Sequence, residues 1–204
     1  DSFPLISMTS YNHKSKKLFL GNGSRSSILT LDPNGEILQE EQLESPPVKL
    51  LLKDSLEYLL TIGNLNPSDE AKGKLRIGSN SINGLIRPVD FLIHDINLDG
   101  YDDVLVCNYG NNVGDFSWYE NLGNGSYDKK VVQFQPAFGS VDFQLRDMNG
   151  DGLKDIIIGN GDNSDLSTVL KNFHGVRVLI NKGNKEFSEE YFMPVHGVSK
   201  IIAE

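Results

Sequence analysis

One segment of this chain is written twice. Val89-Asp90-Phe91-Leu92-Ile93-His94-Asp95-Ile96-Asn97-Leu98-Asp99-Gly100-Tyr101-Asp102-Asp103-Val104-Leu105-Val106 registers without a gap on Val141-Asp142-Phe143-Gln144-Leu145-Arg146-Asp147-Met148-Asn149-Gly150-Asp151-Gly152-Leu153-Lys154-Asp155-Ile156-Ile157-Ile158, at an offset of 52 residues. Both copies open on Val-Asp-Phe, both carry Asp-x-Asn-x-Asp-Gly-x-x-Asp, and both close in an apolar run rich in β-branched residues. An internal repeat of this length constrains the fold more than composition does, because each copy must be one supersecondary unit that buries its apolar faces against its neighbours.

The repeat extends in both directions. Asn121-Leu122-Gly123-Asn124-Gly125-Ser126-Tyr127 matches Asn181-Lys182-Gly183-Asn184-Lys185-Glu186-Phe187, each after a strand-like apolar run, which is a hairpin signal. Upstream, Val48–Asp54 resembles Val141–Asp147, and Leu59–Asn64 resembles Asp155–Asn160 after a loop about three residues shorter. Leu18–Gly23 echoes Ile156–Gly161, and its hairpin is Leu31–Ile37. The equivalent positions Gly21, Gly63, Cys107 and Gly159 stand 42, 44 and 52 residues apart.

Each unit reads as strand, turn, strand, loop, strand, hairpin, strand. The 20 glycines and 19 asparagines are the punctuation, since both residues enter tight and left-handed turns readily. A lone four-stranded sheet of this size cannot cover both its faces, and repetition around an axis solves that. The expected fold is therefore all-β, made of β-propeller blades of four-stranded antiparallel sheets. The expected units are a degenerate blade at 1–44, a second at 45–85, loop-bearing blades at 86–135 and 136–193, and the first strand of a further blade at 194–204. From that last piece, which aligns Gly197–Glu204 with Gly139–Arg146, the chain is expected to be a fragment of a larger propeller of about seven blades. The alternative is a last strand that closes the ring on an N-terminal one.

Charge and chemistry narrow the function. The net charge of −9 disfavours a phosphate backbone, so no nucleic-acid partner is expected. The chain has no apolar run of about 18 residues, so no membrane insertion is expected. Part of the acidity is local. Asp95, Asn97, Asp99 and Asp103 hold positions 1, 3, 5 and 9 of one loop, and Asp147, Asn149, Asp151 and Asp155 hold them in the other. Alternate side chains in a tight loop can converge on one hard cation, and the main-chain oxygen of Tyr101 or Leu153 can add a further ligand. Three carboxylates and an amide suit Ca²⁺ and lack the His and Cys ligands of zinc. Two calcium sites are expected. They are not EF-hands, because position 12 is Val106 or Ile158 and both flanks read as strands.

These loops resemble FG-GAP repeats, also called VCBS repeats, of integrin α-subunit propellers and many bacterial surface and secreted proteins. The resemblance covers residues 86–204 well, and residues 1–85 only in strand runs and Asn-Gly turns. It implies propeller blades with one Ca²⁺ between the first two strands of a blade, and a location that is extracellular, cell-surface or periplasmic. Calcium is not carried over to the first two units, where Asp54 has no ligand series after it and Thr9–His13 offers no carboxylate.

No Walker A loop, His-Glu-x-x-His or Gly-x-Ser-x-Gly is present, so no catalytic residue is assigned. Asp90 and His94 alternate on one strand face, and Asp142 and Arg146 take the same places in the next unit. This polar set faces either a central channel or an inter-blade ion pair. Cys107 reads as a buried structural thiol, and of Trp118 and Tyr119 at least one belongs to the core. The Asn-x-Ser sequons at Asn22 and Asn124 read as turn chemistry. The expected function is a calcium-stabilised extracellular binding or scaffold module for carbohydrate or protein. The alternatives are the propeller domain of a polysaccharide lyase or hydrolase, and a structural spacer in a surface protein.

Overall fold

The computed structural model describes residues 5–131, 139–161 and 171–203. Among them every regular element is a strand, and the strands form four sheets of four. The first sheet is β1 (Ile6–Asn12), β2 (Lys17–Asn22), β3 (Ser27–Leu31) and β4 (Ile37–Gln42). The second is β5 (Pro47–Lys53), β6 (Leu56–Thr61), β7 (Gly73–Ile77) and β8 (Asn80–Leu85). The third is β9 (Pro88–His94), β10 (Asp103–Asn108), β11 (Asp115–Asn121) and β12 (Tyr127–Val131). The fourth is β13 (Ser140–Arg146), β14 (Asp155–Asn160), β15 (Gly175–Asn181) and β16 (Phe187–Pro194). In each sheet sequence order is spatial order, the antiparallel meander of a propeller blade.

The burial of the strands explains their sequences. β10 and β14 are buried at every position. A strand covered on both faces has no polar face to alternate, so it reads as a continuous apolar run: Val104 to Cys107 in one case, Ile156 to Ile158 in the other. The fourth strands are the opposite, with β4 and β16 mostly exposed and rich in Glu and Gln or Ser. Three of the first strands carry the same irregularity, a register shift between Ile6 and Met8, between Pro47 and Lys49, and between Ser140 and Asp142. A bulge recurring at one place in the repeat re-aims the side chains that follow it.

The chain divides into two compact units, residues 1–89 and 90–204. In the first, Met8, Ile28, Leu50 and Leu59 form a core on which Phe19, Leu43 and Leu52 pack. Arg76 on β7 bridges Glu41 on β4 and Glu57 on β6. In the second, Phe116 meets Phe143 edge-on at 4.8 Å and Trp118 meets Phe187 at 6.3 Å, so aromatic rings join its two sheets.

Three expectations change or sharpen. Residues 198–203 form no strand. They lie along β13 all the same, because Val198 and Ile201 pack on Ile157 and the Gln144 amide group bonds Ile201 O (2.7 Å) and Ala203 N (3.2 Å). Side-chain bonds take the place of a main-chain ladder there. Trp118 and Tyr119 are both buried, 1% and 6% exposed, so both rings and not one belong to the core. Asn22 is not in a turn: it ends β2, is buried, and its Oδ1 accepts from Ser24 Oγ and Arg25 N. Cys107 is a buried free thiol, as its apolar run implied.

Candidate functional site

The two acidic loops occupy the same place in their sheets. Residues 95–102 join β9 to β10, and residues 147–154 join β13 to β14. Their internal hydrogen bonds repeat almost bond for bond. Asp95 Oδ1 accepts from Asp99 N (3.0 Å) and Oδ2 from Gly100 N (2.8 Å). Asp147 Oδ1 accepts from Gly150 N (2.7 Å) and Asp151 N (3.2 Å), and Oδ2 from Gly152 N (2.9 Å). Asn97 Oδ1 accepts from Asp99 N, and Asn149 Oδ1 from Asp151 N. Asp99 Oδ1 accepts from Tyr101 N (2.9 Å), and Asp151 Oδ1 from Leu153 N (2.8 Å). Gly100 and Gly152 have φ of 90° and 88°, a conformation that favours glycine, which is why the motif keeps Gly after the third acid.

The ninth-position acids do more than open a strand. Asp103 and Asp155 are wholly buried. Asp103 accepts from Asn121 N (2.8 Å) and Ile96 N (3.4 Å), and Asp155 from Asn181 N (2.8 Å) and Met148 N (2.7 Å). Asn121 Nδ2 returns a bond to Asp102 O, and Asn181 Nδ2 one to Lys154 O. Each buried carboxylate thus ties the loop to the far end of the third strand. The two signatures, Asp-x-Asn-x-Asp-Gly-x-x-Asp and the Asn-x-Gly hairpin, are halves of one device. The seventh residue completes it: a Cβ on Gly123 would strike the Tyr101 ring at 2.6 Å, so the ring lies directly on the hairpin glycine.

The electrostatics of the first loop are unbalanced. Burial, with a smaller contribution from the charge of Asp99, pushes the Asp103 carboxyl up to about 6, although hydrogen bonds from Asn121 N and Ile96 N pull the other way. In the second loop the N–H of Gly152, with those of Gly150 and Asp151, holds the exposed Asp147 below the ordinary carboxylate range. Among the described residues no three Asp, Glu, His or Cys side chains lie together closely enough to hold a metal ion. The donor set nevertheless has the chemistry of a hard-cation loop: oxygen donors only, a glycine-permitted turn, and a buried carboxylate whose charge a cation would offset.

Two residues outside the motif join the first loop. Glu120, buried on β11, accepts from Asn97 Nδ2 (3.3 Å) and from the Lys185 ammonium of the β15–β16 turn. Asn181 Nδ2 also reaches Ile96 O (3.3 Å). The hairpin of the fourth sheet is therefore bonded to the acidic loop of the third. Ile180 stands where Glu120 would repeat, so the repeat gave no signal for this residue.

The polar set on the first strands is drawn to the terminal segment. Asp142, just after the bulge, accepts from Lys200 Nζ (2.9 Å) and Ile201 N (2.6 Å). The bond to Asp142 raises the Lys200 ammonium above its ordinary value against partial desolvation, and the charges of Asp142 and Asp90 add to it. Arg146 Nε donates to Ala203 O (3.0 Å). His94 ends β9 and is half-buried. Asp142 and Arg146 thus serve the packing of residues 200–203, while Asp90 Oδ1 accepts from Phe91 N (2.9 Å).

Residues 95–158 match the family model described as the FG-GAP-like repeat, from the first acid of the first loop to the strand after the second. No curated protein matches the chain at a significant level. Among the described residues no helix is long and apolar enough to cross a membrane.

Proposed function

On the premise that residues 95–158 are FG-GAP-like repeat, we propose that this chain is a calcium-stabilised binding or scaffold module working outside the cytoplasm, its ligand a carbohydrate or a protein. The observation that carries the reading is the duplicated loop. Two segments 52 residues apart keep every side-chain oxygen donor and nearly all of the same internal hydrogen bonds. Asp95, Asn97, Asp99, Asp103 and the main-chain oxygen of Tyr101 would hold one ion. Asp147, Asn149, Asp151, Asp155 and that of Leu153 would hold the other. The role of the ion is structural: it would relieve repulsion among the acids and lock each loop onto its hairpin. Loops of this kind fill at the millimolar calcium found outside cells, which favours an extracellular, cell-surface or periplasmic location.

Calorimetric titration of the chelator-treated protein with CaCl₂ tests this. Two equivalents of Ca²⁺ bound, with a melting temperature that falls in EDTA and returns with calcium, is the expected result. No heat of binding and an unchanged melt in EDTA would refute it.

A further inference from the structure

We propose that the short turns of the first unit form a binding cleft for a neutral sugar ring. The connection that is an eight-residue loop in the second unit is reduced here to four residues, 13–16, between β1 and β2, and to two, Asp54 and Ser55, between β5 and β6. Where longer loops would stand, the two turns leave a cleft of about 420 Å³ between them. That volume lies in the range of small-molecule sites.

The lining has the mixed chemistry of a site for a polyhydroxyl ligand. Tyr11 is 48% exposed, and the His13 ring stands near-perpendicular to it at 4.9 Å and 87°. An exposed aromatic ring is a platform for the C–H face of a sugar. The turn beneath it is pinned, since Asn12 Oδ1 accepts from Lys14 N (2.9 Å) and Ser15 N (3.1 Å). Across the cleft, Asp54 and Ser55 both have positive φ, 49° and 68°. Asp is a usual first residue of such a two-residue turn, but glycine is the usual second, so the chain keeps a hydroxyl at Ser55 against backbone preference. Leu52 and Leu56 supply apolar surface.

Charge decides the class of ligand. Lys14 and Asp54 line the same cleft with opposite signs, which favours neither a phosphate nor a metal cation. A neutral ring with several hydroxyls can donate a hydrogen bond to the carboxylate and accept one from ammonium or imidazole at once. The proposal rests on the reading of the chain as a binding module. It does not rest on calcium, because every cleft residue belongs to the first unit.

The test is saturation-transfer NMR with glucose, galactose, mannose, N-acetylglucosamine and short oligomers of each, alongside glucuronate and glucose 6-phosphate. It uses the intact chain, Tyr11→Ala, Asp54→Gly, and Tyr191→Ala as an exposed control in the other unit. We expect at least one neutral sugar to bind the intact chain and the control, and to bind about tenfold or more weakly to each cleft variant. Asp54→Gly relieves a positive φ, so a melting temperature no lower than that of the parent separates lost binding from lost fold. Binding unaffected by both cleft variants overturns the cleft and leaves the binding-module reading standing. A preference for the anionic sugars overturns the neutral class. No binding of any sugar overturns the cleft and the carbohydrate half of that reading, while the calcium titration still tests the loops.

Discussion

The ninth-position acid should have two separable duties, and Asp155 is where they can be separated. Its carboxylate is wholly buried and accepts from Met148 N at 2.7 Å and Asn181 N at 2.8 Å. In Asp155→Asn one oxygen can still serve one N–H, but the new amide turns a donor toward the other. One buried N–H left unsatisfied, with the charge assistance of the first bond lost, costs about 1–3 kcal/mol. At about 4 °C per kcal/mol for a unit of this size, the melting temperature in EDTA should fall by about 4–12 °C. Asp151→Asn is the counterpart. Asp151 is exposed, and among the described residues its carboxylate bonds to its own loop, through Leu153 N and Asn149 Nδ2. In EDTA that variant should melt within about 1–2 °C of the parent.

Calcium exposes a deficit in Asp151→Asn that EDTA conceals. At free Ca²⁺ about a hundredfold above Kd, each intact site stabilises by about 2.7 kcal/mol, or about 10 °C. Asp151→Asn should lose most of the gain from the second loop and keep that from the first. Circular dichroism melts of the three proteins, in EDTA and in CaCl₂, provide the comparison. A parent-like melt of Asp155→Asn in EDTA would refute the hydrogen-bond argument. A full calcium gain in Asp151→Asn would refute the assignment of this loop as a ligand.

Glu120→Ala removes the acceptor shared by Asn97 and Lys185, so it should weaken calcium binding at the first loop and leave the second unchanged in the same calorimetric titration. Gly161→Ala places a Cβ 1.9 Å from Val198 O, a clash with backbone that cannot be relieved by rotating a side chain. It should cost about 1–3 kcal/mol and abolish hydrogen-exchange protection at Ile201 N and Ala203 N while sparing β10. Burial, and then the negative charge of Asp115, push the Tyr119 phenol up to about 12 from an ordinary 10. Between those values the folded state holds a proton that the unfolded state has lost, so stability should fall as pH rises from 10 to 12. Tyr119→Phe should flatten that part of the stability curve measured by urea unfolding, and an unchanged slope would show that Tyr119 is not the group responsible.

What could be read from the sequence was what the chain repeats. Val104–Cys107 and Ile156–Ile158 stood out because a strand covered on both faces admits few polar residues, and the acids stood out because their spacing is local. What escaped is what one copy has and the other lacks. Glu120 faces Ile180 in the alignment, and its partner Lys185 lies 65 residues away. Asn181 reaches Ile96 across 85 residues, a bond that no period of 52 predicts. Asp142 was visible as a polar position, but its partner Lys200 sits on a segment held by side chains rather than by a ladder. The same asymmetry bears on function. A repeated loop is bound to be structural in the first instance, because every copy must solve the same packing problem. A copy that has shed its loop is released from that duty. In the first unit the end of β1 and the turns at 13–16 and 54–55 bring Tyr11, His13, Asp54 and Ser55 beside open space. The departures from the repeat, more than the repeat itself, are therefore where recognition should be sought.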